Sequence, residues 1–131
     1  MNATYRKQFL ESRDHPTEFW MEQAKAINWL KAPRIGLETK ENGASRWFPD
    51  GELNTSALCL DTHIDNGRGL EPAIIYESPV TDTVRSYTYI EVLREVNAIA
   101  KGMINMGLQK GDAAIIYMPM IPEAVFAMLA C

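Results

Sequence analysis

The chain has 131 residues, 47% hydrophobic and 23% charged, which is the balance of one globular domain at most and not of a disordered segment. Its net charge of −4, with no basic run longer than Arg6-Lys7, argues against nucleic acid or an anionic bilayer as partner, since both reward clustered Lys and Arg. No apolar run nears the ~18 residues of a membrane span, no apolar signal core opens the chain, and Cys59 and Cys131 are too few for a disulfide framework or a zinc site, so a soluble, cytoplasmic domain is expected.

The first third is aromatic: Tyr5, Phe9, Phe19, Trp20, Trp29, Trp47 and Phe48 all precede residue 50. The pattern predicts a short helix over 5–11. A second helix starts near Pro16, whose missing N–H goes unneeded at a first helical position. At about 100° per residue, Phe19, Trp20, Ala24, Ile27 and Leu30 share an arc of roughly 140°. Glu18, Glu22 and Lys25 take the other side, so this helix is expected to pack one face onto something larger. From 31 to 50, Pro33, Gly36, Asn42, Gly43 and Pro49 break any regular element. That stretch is expected to wrap the surface, anchored by Trp47 and Phe48.

A short helix is predicted over 56–64, ending at Asn66-Gly67, followed by strands over 73–76 and 85–87 joined through residues 78–84. Thr88-Tyr89-Ile90-Glu91 is a capping box, in which the Thr88 hydroxyl accepts from the Glu91 N–H while the Glu91 carboxylate reaches back. Val92, Leu93, Val96, Ile99, Ala100, Met103, Ile104 and Met106 then form a stripe of roughly 160°, with Arg94, Asn97, Lys101 and Asn105 opposite. Gly107 falls where a left-handed helix end belongs, and Lys110-Gly111-Asp112 turns the chain. Residues 113–117 read as a short buried strand, and Pro122-Glu123 opens a last helix. This order is the grammar of a βαβ crossover on a parallel sheet. After Glu123 every residue to Cys131 is apolar. A helix apolar all round is normally buried on all sides, so the pattern reads as a chain cut inside a domain. Self-association through residues 124–131 is expected, carried by Val125, Phe126, Met128 and Leu129.

The residues that suggest chemistry also have structural readings. Gly67-Arg68-Gly69 is followed by Glu71-Pro72 and reads as a turn, because a phosphate cradle needs successive N–H groups at a helix start. Asp61, His63 and Asp65 would gather for a metal on a strand, but on a helix His63 points away from the two acids. A structural role is favoured, with His63 hydrogen-bonded to backbone between elements. Cys59, among apolar neighbours and with no base near it in sequence, reads as an inert core thiol. Tyr117, Met118, Met120 and Met128 read as core filler, and Glu123 as a first-turn acid suited to the helix dipole. No catalytic, cofactor-binding or metal-ligating residue is expected in the chain.

Taken in order, these residues resemble the N-terminal part of the AMP-forming short-chain acyl-CoA synthetases, the propionyl-CoA and acetyl-CoA synthetase family of the adenylate-forming superfamily. Tyr5, Phe9, Ser12, Pro16, Phe19 and Trp20 match its opening segment. Trp47-Phe48 with Gly51, Leu53 and Asn54 match its WF-x-x-G-x-LN element, and Asp61 and His63 its D-R-H element. Thr88, Tyr89 and Glu91 match the superfamily's T-Y-x-E-L motif. Gly111-Asp112, Ile116-Tyr117-Met118-Pro119-Met120 and Pro122-Glu123 match its GD…YMPM-x-PE block. Ser78-Pro79-Val80-Thr81 looks more like the propionyl branch. The chain departs at Leu58, where the family usually has Asn, and at Thr62 and Ala113, where it has Arg.

The resemblance implies an α/β fold: a helical and irregular cap over 1–72, then over 73–131 the first βαβ-type layer of an adenylate-forming large domain, truncated. It implies a parent ligase that activates propionate or acetate with ATP to an acyl-AMP and passes the acyl group to coenzyme A, with magnesium required. The family's Lys-ended phosphate loop, its carbohydrate-binding Asp and its C-terminal-domain Lys have no counterpart in these residues. The isolated chain is therefore expected to be inactive and to hold no cofactor. Its partners would be the rest of the parent polypeptide and, through it, small-molecule substrates. The alternative reading is a non-catalytic structural or interaction module, or a truncated remnant of that family.

Overall fold

The structure, a computed structural model, describes residues 2–131. The chain divides into two compact units, one running to Asn54 and the other spanning Thr55–Cys131.

In the first unit, α1 (Ala3–Asp14) outlasts the predicted helix at both ends. Asn2 caps it by accepting from the Thr4 N–H at 3.0 Å. Then α2 (Pro16–Ala24) starts at Pro16 as the sequence predicts. It ends at Ala24, so Ile27 and Leu30 fall outside the helix and stay exposed, which corrects the expected apolar face. The cause is a tightened last turn: Lys25, Ala26 and Ile27 donate to carbonyls three residues back. The Trp29 indole N–H then donates to the Ala24 carbonyl at 2.8 Å, satisfying a terminal acceptor of the helix.

The stretch 31–50 is more regular than expected. An antiparallel hairpin joins β1 (Leu37–Thr39) to β2 (Ser45–Trp47), with Leu37 opposite Trp47 and Thr39 opposite Ser45. Asn42-Gly43, which reads as a breaker, is its turn. Gly43 adopts φ 81° and donates to the Lys40 carbonyl at 2.9 Å, while the Asn42 side chain accepts from the Ala44 N–H. The base of the hairpin is tied by Asp50, whose Oδ1 accepts from the Arg34 and Ile35 N–H groups at 3.1 Å each. Of the two expected anchors, only Phe48 is half-buried, edge-on to Trp29 at 5.6 Å; Trp47 is exposed.

The second unit opens with α3 (Thr55–Cys59) and α4 (Asp61–His63), followed by a wide turn at Ile64–Arg68. The helix predicted over 56–64 breaks at Leu60, whose φ of −123° turns its side chain into the core. The same break leaves Cys59 exposed, so it is not a core thiol. Next, β3 (Pro72–Ser78) pairs antiparallel with β4 (Thr83–Thr88), with a bulge between Pro72 and Ile74. The long helix α5 (Tyr89–Asn105) starts on the predicted capping box and ends on the predicted Gly107. Gly107, at φ 96°, donates to the Ile104 carbonyl while Leu108 donates to that of Met103, a Schellman closure. Finally, α6 (Pro122–Ala130) packs on α5.

Leu60, Tyr87, Val92, Val96 and Phe126 form the buried core, flanked by Ile74, Leu93, Ile99 and Leu129. Phe126 is only 3% exposed and Pro122 and Ala127 are also buried, so α6 is not bare as expected; Met128 does face solvent. Two further expectations are corrected. Among the described residues both sheets are two-stranded and antiparallel, so no βαβ unit is formed. Residues 113–117 are not a buried strand: among the described residues they pair with no other strand, and all five are exposed. Tyr117, Met118 and Met120 consequently stand in solvent rather than filling a core. The coarse class holds: helices with small antiparallel sheets, an α/β fragment.

Candidate functional site

Two places gather side chains with chemistry, both in the second unit. The first surrounds Arg68. Its position follows from the wide turn after α4, where Gly67 at φ 79° swings the chain back. Arg68 Nε donates to Glu71 at 2.8 Å, Nη1 donates to His63 Nδ1 at 3.2 Å, and the guanidinium lies 5.7 Å from the centroid of the Tyr89 ring. The Glu71 hydrogen bond and charge raise the Arg68 pKa further above its ordinary value. A guanidinium can only donate, so His63 Nδ1 accepts, and the neutral ring carries its proton on Nε2. The His63 ring also lies 4.8 Å from that of Tyr89.

This arrangement corrects the expectation for His63, whose ring partner is the Arg68 side chain rather than backbone. Asp61, His63 and Asp65 do not converge, and among the described residues no group of three His, Cys, Asp or Glu is placed to hold a metal. Gly67-Arg68-Gly69 is a turn, as its sequence reads. Gly69 allows close approach of the Ile90 side chain: a Cβ there would fall 2.8 Å from Ile90 Cδ1, and that side chain would have to shift. Chemically the cluster is a clasp between the turn and the start of α5. Its one strong cation is already held by a carboxylate, an imidazole and an aromatic ring. Sequence reasoning missed Arg68 because its partners lie at three different positions and no periodicity links them.

The second place is a groove of about 560 Å³ between α5, α6 and residues 108–116. Met103, Ile104, Leu108, Ile116 and Met128 make it apolar, and Cys131 Sγ lies 4.0 Å from Met103 Sδ inside it. Lys110 and Asp112 stand at its rim. Asp112 is occupied by the turn, accepting from the Gln109 N–H at 2.8 Å. The groove offers packing surface and one ammonium, not a nucleophile with a base.

The capping box at the head of α5 has the expected form. Glu91 N–H donates to Thr88 Oγ1 at 3.3 Å, and the Thr88 N–H and hydroxyl donate to Glu91 Oε2 at 2.8 and 3.0 Å. The Thr88 backbone N–H, and then its hydroxyl, hold the Glu91 carboxyl below its ordinary pKa. Asp50 is likewise held low, first by the Ile35 N–H.

Capping box, positive-φ Gly107 and the turn at Lys110-Gly111-Asp112 are the frame on which comparison with known proteins falls. Residues 63–131 match the family described as AMP-binding enzyme, and residues 5–59 match the one described as acetyl-coenzyme A synthetase N-terminus. The chain belongs to the AMP-binding enzyme family. An uncharacterized protein of Pseudomonas aeruginosa is 47% identical over 98% of this chain. Acyl-CoA synthetase short-chain family member 3, mitochondrial, of Homo sapiens is 45% identical over 98%. Acetyl-coenzyme A synthetase of Pseudoalteromonas atlantica is 42% identical over 98%. The chain spans about a fifth of the length of these relatives: 20%, 19% and 20% respectively.

Proposed function

We propose that the chain is the N-terminal part of an AMP-forming acyl-CoA ligase. The whole enzyme would activate propionate or acetate with ATP to an acyl-AMP and transfer the acyl group to coenzyme A, with magnesium as the metal. One observation carries this reading: the two family matches follow one another in a single chain, in the order of an acetyl-CoA synthetase N-terminus and an AMP-binding enzyme. The identity to an acyl-CoA synthetase and to an acetyl-CoA synthetase over 98% of the chain supports it.

In this reading residues 1–72 form the cap and 73–131 begin the large domain in its adenylate-forming layer. The chain itself carries no catalytic, nucleotide-binding or metal-ligating residue. It acts by supplying α5, α6 and the apolar groove as packing surface for the rest of the parent polypeptide, which holds the small-molecule substrates. A cytoplasmic place goes with this reading. The test is a chimera in which this chain replaces the matched fifth of the Pseudoalteromonas atlantica synthetase. The expected result is formation of acetyl-CoA or propionyl-CoA from the acid, ATP and coenzyme A. A chimera that folds and forms neither overturns the proposal.

A further inference from the structure

Three places in the chain set an acid or amide side chain directly before a glycine: Asn42-Gly43, Asp50-Gly51 and Asn66-Gly67. Such a pair carries a reaction of its own, because glycine has no Cβ to crowd its nitrogen, and that nitrogen can reach the preceding side-chain carbonyl carbon. The structure separates the three. Asp50 is a carboxylate, the poorer electrophile, and it is held by the Arg34 and Ile35 N–H groups. The Gly51 N–H is donated to the Phe48 carbonyl at 3.1 Å, and the Trp29 ring crowds the glycine. Asn66 lies in helical backbone within the turn Ile64–Arg68, where only Gly67 departs from helical angles. That turn is fastened by Arg68 on Glu71 and His63 and by the buried Gly69.

Asn42 is placed differently. It stands at the tip of the β1–β2 hairpin, whose strands have three residues each, and every residue from 38 to 47 is exposed. From Glu38 to Arg46 the only apolar side chain is that of Ala44, so this tip offers water nothing to exclude. Its closing bonds run from the Lys40 N–H to the Ala44 carbonyl at 2.9 Å, from the Gly43 N–H to the Lys40 carbonyl at 2.9 Å, and from the Ala44 N–H to Asn42 Oδ1 at 3.1 Å. The second of these ties up the Gly43 nitrogen. The third draws electrons away from Asn42 Cγ. Exposed hydrogen bonds at the end of a short ribbon belong to the part of a fold that opens most readily.

We propose that Asn42 is a site of spontaneous deamidation in the folded chain. When the Gly43–Lys40 bond opens, the Gly43 nitrogen adds to Asn42 Cγ and gives up its proton to water. The Cγ–Nδ2 bond breaks, and Nδ2 takes a proton from water and leaves as ammonia. The product is a five-membered succinimide. Water then opens one or other of its carbonyl–nitrogen bonds, giving aspartate or isoaspartate at position 42, with water as the one co-reactant. Nucleophile, electrophile and turn all lie within residues 40–44, so the reaction draws on nothing from a longer polypeptide. Either product sets a new carboxylate beside Glu41. Isoaspartate also lengthens the main chain by one carbon inside the ring that the Gly43–Lys40 bond closes, which undoes the register that sets Thr39 opposite Ser45.

The test is incubation of the full 131-residue chain in mildly alkaline buffer, folded and in guanidinium chloride, followed by trypsin. Cleavage after Lys40 and Arg46 releases residues 41–46 as one peptide, whose mass reads the exchange of amide for acid. Methyl transfer by an isoaspartyl carboxyl methyltransferase reads the isoaspartate. In denaturant, Asn42 and Asn66 are expected to convert at similar rates, since each precedes glycine. In the folded chain Asn66 is expected to fall behind Asn42 by about tenfold, because its turn opens less often. Methyl transfer to the folded chain should be lost in Asn42→Gln, whose longer side chain forms no five-membered ring, and kept in Asn66→Gln. Both positions are exposed, so both variants should keep the circular dichroism of wild type. A folded chain that retains the amide at 42 while the denatured chain loses it overturns the proposal. So does Asn66 converting as fast as Asn42 in the folded chain, or methyl transfer that survives Asn42→Gln.

Discussion

Phe126 of α6 meets Tyr87 of β4 edge-on, with ring centroids 5.3 Å apart and planes at 75°. Both rings are buried, and the guanidinium of Arg85 lies 4.2 Å from the Tyr87 centroid. This contact fastens α6 to the ribbon that precedes α5. Phe126→Ala should therefore cost about 3–5 kcal/mol, the range for emptying a buried aromatic site. Met128→Ala, two residues on but exposed, should shift the denaturation midpoint little. Equal midpoints for Phe126→Ala and wild type would show that the ring faces solvent.

Thr88 sets the start of α5. Thr88→Ala removes the hydroxyl that accepts from the Glu91 N–H and should cost about 1 kcal/mol, while Thr88→Ser should be nearly silent. Acid should erase part of the difference. The Glu91 carboxyl is held below its ordinary pKa by the Thr88 N–H and hydroxyl, so its folded value lies under its unfolded value. The stability it adds is fully present above the unfolded value and is lost as pH falls through the folded one. Urea midpoints of Thr88→Ala and wild type should draw closer, without meeting, below the glutamate range. A gap that stays constant into acid would remove Glu91 from the account.

Gly51 carries a different constraint. A Cβ at this position would lie 2.8 Å from the Trp29 ring and 3.2 Å from Pro33 Cβ. The Trp29 ring has little room to yield, because its indole N–H is bonded to the Ala24 carbonyl and it meets the Phe48 ring in a T-shaped contact. Gly51→Ala should cost about 1–3 kcal/mol by overpacking. Gly43→Ala meets no neighbour within 4 Å, and its cost should come from φ 81° alone. Thermal unfolding of the two variants compares steric crowding with backbone strain. If Gly51→Ala melts with wild type, Trp29 moves freely and the indole bond is not holding it.

The sequence-readable parts of this chain are those decided within a few residues. Thr88 and Glu91 are three apart and satisfy each other, so the start of α5 can be read from four letters, and its end from Gly107. Elements that depend on distant partners were not readable. The apolar run at 113–117 has the composition of a buried strand, yet no described strand pairs with it. The hairpin around Asn42-Gly43 was hidden because β1 and β2 are three residues each, mostly polar and exposed, with no alternating face to betray them. Cys59 and Leu60 are adjacent and both apolar; a kink of the backbone, which no periodicity encodes, sends one outward and the other into the core. The Arg68 clasp was missed for a similar reason, since it draws on α4, a turn and α5 at once.

The 131-residue chain alone should not form an acyl-adenylate. Binding ATP for that chemistry takes a cradle of N–H groups with a cation over the phosphates, and a group to orient the attacking carboxylate. The glycine-flanked Arg68 is the nearest imitation, but its guanidinium is committed to Glu71 and His63. The Glu71 carboxylate, exposed beside it, would repel a phosphate rather than receive one. Lys110 stands at the rim of an apolar groove, beside Asp112 and without a second cation among the residues that line it. Exchange of labelled pyrophosphate into ATP, with propionate or acetate as the acid, should stay at background for the pure chain at any concentration. The same assay should respond when the chain is built into the chimera with the Pseudoalteromonas atlantica synthetase. Exchange above background from the chain alone would mean that the adenylation site lies within residues 1–131, and that Arg68 or Lys110 takes a part not assigned to it above.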